Sequence, residues 1–194
     1  MGFIFDMGNV LSLGVDVVPR VAERLGMTVE QLVGYGRHDF EALMTGGMTA
    51  QEFWEGFNRH FGTDVREDLL TVFFHPVTDK RVERLILDLK AAGHRVVCGS
   101  NTFERHYRYH LEHGEYAVFD KVYASHLMKV AKPSPAFYEH ILEHEGWRPC
   151  DTFFIDDRAS NVAPARELGI HSLLYESYEG LKAWLAAEAV LQGP

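Results

Sequence analysis

Three uninterrupted apolar runs punctuate the chain, and each stops at a polar residue. Phe3-Ile4-Phe5 precedes Asp6, Val96-Val97-Cys98 runs through Gly99 to Ser100, and Phe153-Phe154-Ile155 precedes Asp156-Asp157. Short runs without alternation suit strands buried on both faces, the habit of a parallel sheet. Elsewhere the apolar period lengthens to that of helices. Val82, Leu85, Ile86 and Leu89 predict one helix, and residues 102–112, 135–145 and 161–168 predict three more. After the opening run, strands are expected at residues 95–98, near Val122-Tyr123, at 152–155 and at 172–175, with a helix closing the chain. Strand and helix in alternation imply a Rossmann-like α/β fold, a parallel sheet with helices on both faces and right-handed crossovers.

Residues 13–77 break this rhythm. Val15, Val18, Val21, Ala22 and Leu25 share one helical stripe that stops at Gly26. Thr28-x-x-Gln31 and Thr49-x-x-Glu52 are capping boxes, in which the Thr and the residue three further on satisfy each other's backbone N–H groups. The second box opens a helix with Phe53, Trp54 and Phe57 on its apolar side, and with Phe61, Phe73 and Phe74 these read as the core of a small all-helical insertion. No convincing strand falls in this stretch. The division expected is an α/β core of residues 1–12 and 78–194 and a helical insertion of residues 13–77 standing over the carboxyl edge of the sheet.

Composition narrows the class. With 194 residues and 46% hydrophobic content, one sizeable core with an inserted subdomain is within reach. A formal charge of −9 without a long Lys/Arg run argues against nucleic acid or an anionic membrane as partner. The first six residues include Asp6 and do not form a signal peptide, and no apolar run approaches the ~20 residues of a membrane span. Cys98 and Cys150 show neither disulfide nor metal spacing, so a cytoplasmic location is expected.

Open α/β sheets bind ligands at the carboxyl ends of their strands, which makes the run-ending residues the candidates for chemistry. Alone, an Asp or Ser there is a turn or cap residue. Their order carries more. Strand-Asp6, strand-Ser100, Lys132 before Pro133, and strand-Asp156-Asp157 together resemble the four motifs of the haloacid dehalogenase superfamily, whose members are mostly phosphatases. Asp6-Met7-Gly8-Asn9-Val10, Ser100-Asn101-Thr102 and Asp156-Asp157-x-x-x-Asn161 look most like its α-D-glucose-1-phosphate phosphatase branch, close to the phosphatase-like domain of soluble epoxide hydrolases.

The resemblance implies that residues 13–77 form a cap and that Asp6 is a nucleophile forming an aspartyl phosphate. It further implies Mg²⁺ held by Asp6, Asp157 and the backbone carbonyl of Gly8, with Asp156 and Asn161 behind the metal. Ser100 and the amide of Asn101 would donate to phosphoryl oxygens, and Lys132 would neutralise Asp6 and the transferring group. The function expected is a Mg²⁺-dependent phosphatase of a small phosphorylated metabolite such as a sugar phosphate, acting as monomer or homodimer. The alternatives are a 2-haloacid dehalogenase, against which the Asp156-Asp157 pair argues, and a non-catalytic phosphometabolite-binding protein.

One position departs from the general pattern. Most phosphatases of the superfamily carry an acid two residues after the nucleophile, and this chain has Gly8 there, which leaves the proton donor unassigned. Rates should then depend steeply on leaving-group pKa unless another acid serves, with His38 and Asp39 in the insertion as candidates. His106, His110 and His113 share a helix face at a spacing that can bind zinc, but their charged neighbours read as a solvated surface.

Overall fold

Every residue of β1 (Gly2–Phe5) is buried, and this strand is the centre of the fold. The computed structural model describes residues 1–188, so the last six residues assigned to the α/β core lie outside the described residues. After β1 come β2 (Ser12–Leu13), α1 (Val18–Leu25), α2 (Val29–Met44), α3 (Ala50–Phe61), α4 (Leu69–Val72) and β3 (Val77–Thr78). Next are α5 (Lys80–Ala91), β4 (Arg95–Ser100), α6 (Glu104–Glu112), β5 (Lys121–Ala124), α7 (Ser125–Met128) and α8 (Pro135–Glu145). Then follow β6 (Thr152–Asp156), α9 (Ala159–Glu167), β7 (His171–Leu174) and α10 (Tyr178–Ala187).

Five strands form a parallel sheet in the order β5-β4-β1-β6-β7. Alternate residues of β1 serve opposite faces. Phe3 and Phe5 join Val82, Ile86 and Leu89 of α5 and Leu181 and Leu185 of α10, whereas Ile4 joins Phe137, Tyr138 and Ile141 of α8 and Val162 of α9. The sheet is thus buried on both sides, which is why its strands read as unbroken apolar runs. Phe5 lies in register with Cys98 on one side and Ile155 on the other, so the residues that follow the three runs emerge at one level.

Helices α1–α4 have an aromatic core of their own. Phe53, Trp54, Phe57 and Phe74 are buried, Phe53 and Trp54 meet edge to face, and the Trp54 indole N–H donates to Asp68 at 2.9 Å. Phe61 is 39% exposed, so it is not part of that core as the apolar pattern suggested. Both predicted capping boxes form, at Thr28–Gln31 and Thr49–Glu52. One element of residues 13–77 is not helical. Leu13 pairs antiparallel with Val77, and Ser12 with Thr78, a two-residue ribbon where the chain leaves and rejoins the sheet. Two residues carry no period, so no pattern could announce it. The helices are tied down by Ser125, whose hydroxyl donates to the Met44 carbonyl at 2.6 Å and accepts from the Thr102 N–H at 3.0 Å.

Candidate active site

Asp6 follows β1 with its N–H donated to the Ile155 carbonyl at 2.8 Å, which holds its side chain at the carboxyl edge between β4 and β6. Lys132, from the segment between α7 and α8, reaches the same point. Its ammonium donates to Asp6 Oδ1 at 2.8 Å, to Asp156 Oδ2 at 2.7 Å and to the Gly99 carbonyl at 2.8 Å, and its side chain is 1% exposed. A lysine so buried is tolerable only because two carboxylates compensate it. Burial works against its charge, yet Asp6 and Asp156 hold the Lys132 pKa above its ordinary value. Burial, opposed by Lys132 and reinforced by Asp156 and Asp157, pushes the Asp6 carboxyl up to about 6.

Asn101 has a more specific position than a phosphate donor requires. Its side-chain amide donates to the Lys132 carbonyl and accepts from the Lys132 N–H, both at 2.8 Å, so the side chain fixes the lysine's backbone. Asp156 is fully saturated. Asn161 Nδ2 donates to both its oxygens at 2.9 and 3.1 Å, the Arg158 N–H to Oδ1 at 2.9 Å, and Lys132 to Oδ2. Asp157 is half-buried and receives a hydrogen bond from Asn9 Nδ2 at 2.9 Å. Asn9 stands at φ 55°, in the left-handed region that Asn tolerates better than most residues. Its part in orienting Asp157 was not foreseen.

Asp6, Asp156 and Asp157 present oxygens that all lie within 4.8 Å of one another. Such a cluster of hard anionic donors suits a divalent cation, and without one the carboxylates repel. Ser100, buried at the end of β4, lines the same cavity, as do Gly8, Asn101, Asp157 and Asn161. Gly8 has no left-handed φ, and a Cβ there would lie 4.0 Å from Asp6 Oδ2 and 3.2 Å from Val15 Cγ2, so a side chain at this position would overhang the Asp6 carboxylate.

The cavity measures about 430 Å³, and its apolar lining is Val15 and Val17 ahead of α1, Phe40 and Met44 of α2, Leu70 of α4, Phe74 just after it, and Phe103 just before α6. His38 and Asp39, the acids considered in the insertion, do not line it. They border a separate groove with Tyr35, His60 and Phe61. The reading of His106 and His110 as a solvated face is also overturned: His110 is buried, His106 half-buried, and both line the Asp6 cavity. Phe74 stacks on the His106 ring at 3.5 Å, and the Leu70 carbonyl bonds its Nε2 at 2.8 Å. The helical insertion covers this face of α6, and no local pattern in α6 discloses that cover.

Comparison with known proteins gives concordant matches. The model of a hydrolase family, the haloacid dehalogenase-like hydrolases, matches residues 1–169. A sesquiterpene phosphatase of Aspergillus oryzae is 33% identical over 96 residues, which cover 49% of this chain and 49% of that protein. A chloroplast flavin mononucleotide hydrolase of Arabidopsis thaliana is 46% identical over 50 residues, 26% of this chain and 20% of the relative. The matched segments therefore span about half of the first relative's length and a fifth of the second's. Among solved structures, a wild-type family enzyme from Bacteroides thetaiotaomicron, in complex with magnesium and inorganic phosphate, superposes with a TM-score of 0.75 at 26% identity, covering 93% of this chain and 98% of that one.

Proposed function

The chain belongs to the haloacid dehalogenase-like hydrolase family, and from that premise we propose that it is a Mg²⁺-dependent phosphomonoesterase acting through an aspartyl phosphate on Asp6. One observation carries this reading: Asp6, Lys132 and Asp157 converge in a single cavity that is also lined by apolar side chains of residues 13–77. The Asp6 carboxylate attacks phosphorus, the bond to the leaving oxygen breaks, and water later cleaves the acyl phosphate. Lys132 keeps Asp6 ionised and in place, while the Ser100 hydroxyl and the Asn101 main-chain N–H donate to phosphoryl oxygens. Asp6, Asp157 and the Gly8 carbonyl would hold Mg²⁺, with Asp156 and Asn161 fixing Lys132 and the carboxylates behind it. The cation would offset the negative charge of phosphate and carboxylates and polarise the phosphoryl group.

Residues 13–77 act as a cap that chooses the organic part of the substrate. Apolar side chains there favour a phosphomonoester with a hydrophobic or flat moiety, and two relatives are named for a sesquiterpene and a flavin mononucleotide substrate. The narrower sugar-phosphate reading rests on the sequence resemblance to the glucose-1-phosphate branch. A panel of isoprenoid, flavin and sugar phosphates assayed with Mg²⁺ tests both, and absence of turnover on every phosphate would overturn the phosphatase reading.

Asp157→Ala is expected to lower Mg²⁺ affinity and activity together, by more than the ~10–100-fold typical of residues one step behind a metal's ligands. Asn9→Ala, which frees Asp157 without removing it, is expected to fall within that ~10–100-fold range. Calorimetric titration with Mg²⁺ checks both. Unchanged affinity in Asp157→Ala would remove the residue from the metal site.

A further inference from the structure

Gly8 leaves the chemistry above without a proton donor for the leaving group, and the cavity wall holds a histidine that the mechanism has not used. His110, on α6, is buried and lines the cavity together with Asp6 and Lys132. Its Nδ1 is bonded to Glu115 Oε2, in the turn that follows α6, and Glu115 Oε1 accepts from the Thr78 hydroxyl at 3.3 Å in the ribbon that closes the insertion. The pair is thus braced from two elements, with His110 side-chain exposure of 4% and Glu115 of 13%. With Nδ1 committed to the carboxylate, Nε2 is the nitrogen left for proton exchange. The ring also sits 5.3 Å from that of Tyr116.

Other polar groups near the cavity are less well placed. His106 spends Nε2 on the Leu70 carbonyl, and Asp16 is exposed and accepts the Val18 N–H at 3.1 Å. A buried His oriented by a carboxylate is an arrangement that moves protons: the anion stabilises the imidazolium and fixes the tautomer.

We propose that His110, oriented by Glu115, is the acid–base group that replaces the missing carboxyl at position 8, a role that rests on the phosphatase reading above. In the first step an Asp6 oxygen bonds phosphorus, the P–O bond to the leaving group breaks, and His110 Nε2–H gives its proton to the departing oxygen. In the second, neutral His110 takes a proton from water as the water oxygen bonds phosphorus. The bond to Asp6 then breaks, returning the carboxylate, the imidazolium and inorganic phosphate.

The groups around His110 are Glu115 and Tyr116 from the turn, Phe74 from the insertion, and His106, Tyr109 and His113 from its own helix, and Asp6 and Lys132 line the same cavity. Burial draws its pKa below the ordinary value while Glu115 opposes that shift. The acid form is lost as pH rises, so the rate on alkyl phosphates is expected to fall through a range centred below about pH 6.5.

The test uses the full chain with saturating Mg²⁺ and a series of aryl and alkyl phosphates. His110→Gln is expected to lose about 10²–10⁴-fold in kcat/KM on alkyl phosphates. Aryl phosphates, whose leaving groups need no proton, are expected to give a burst of phenol followed by slow turnover as the aspartyl phosphate waits for its base. Glu115→Gln is expected to move the alkyl-phosphate pH limb downward, because removing the anion lowers the imidazole pKa further, and this holds the proposal testable should His110→Gln fail to fold. Asp16→Asn, whatever its KM, is expected to keep the wild-type leaving-group dependence. Wild-type leaving-group dependence in His110→Gln with no burst, an unmoved limb in Glu115→Gln, or transfer of the loss to Asp16→Asn would each overturn the assignment while leaving the phosphatase reading standing. A wild type inert on every phosphate would overturn both.

Discussion

Asp6→Asn is expected to abolish turnover, by at least about 10⁴-fold, and to leave the fold intact. The two expectations come from different parts of the geometry. Loss of rate follows because the amide keeps the shape of the side chain and lacks the anionic oxygen that must bond phosphorus. Retention of the fold follows because Lys132 keeps Asp156 Oδ2 at 2.7 Å and the Gly99 carbonyl at 2.8 Å, and the Asn oxygen can still accept from it. The sign of the stability effect follows from the raised Asp6 pKa of about 6. A carboxyl whose folded pKa lies above its unfolded value carries its charge at a cost above that pKa and at none below the unfolded value. Asp6→Asn is therefore expected to match the wild type near pH 4 and to be no less stable near pH 8, provided the loss of one Lys132 partner is offset by the loss of that cost. Thermal unfolding at the two pH values, beside an acid-quench search for acyl phosphate, checks both halves. Substantial residual activity with a detectable acyl phosphate would mean that a different nucleophile does the work.

How far the chain announces this arrangement depends on the range of the forces involved. The strands are legible because β1, β4 and β6 are covered on both faces, and burial of that kind leaves an unbroken apolar run with an abrupt polar end. Parallel register then does the rest: with Phe5 level with Cys98 and Ile155, the residues just beyond the runs must meet at one edge. The insertion is legible through its capping boxes, which are local chemistry. What is not legible is decided between elements. His110 meets Glu115 only because the chain turns after α6, and Glu115 meets Thr78 only because β3 returns beside β2. Asn9 could be read as a turn residue, and nothing in its neighbours shows that its amide reaches Asp157, 148 positions away. Lys132 is an ordinary surface residue by composition. Its burial follows from the clasp of Asn101 on its backbone and from two carboxylates contributed by different strands.

That buried lysine leads to the second large effect. Lys132→Met is expected to destabilise the protein by about 3–5 kcal/mol at neutral pH, the range for removing one partner of a buried ion pair. For a chain of this size that is a fall of roughly 6–20 °C in the unfolding midpoint. Met fills a similar volume, so the loss should come from charge, not from a cavity: Asp6 and Asp156 would face each other in a site where Asp156 is 0% exposed, with no cation between them. Two such carboxyls cannot both ionise cheaply, and Asp6, whose pKa already lies at about 6, should hold its proton to still higher pH. Stability of the variant is then fully present below about pH 4 and lost as pH rises through the raised Asp6 value, so its deficit against the wild type should be small at pH 4 and complete by pH 8. Turnover is expected to fall as well, by about 10²–10³-fold, since a preorganised charge facing the transferring group is removed. Scanning calorimetry of both proteins at the two pH values separates charge from packing. A deficit of equal size at pH 4 and pH 8 would mean that Lys132 contributes only its volume, and the electrostatic account of the site would fall with it.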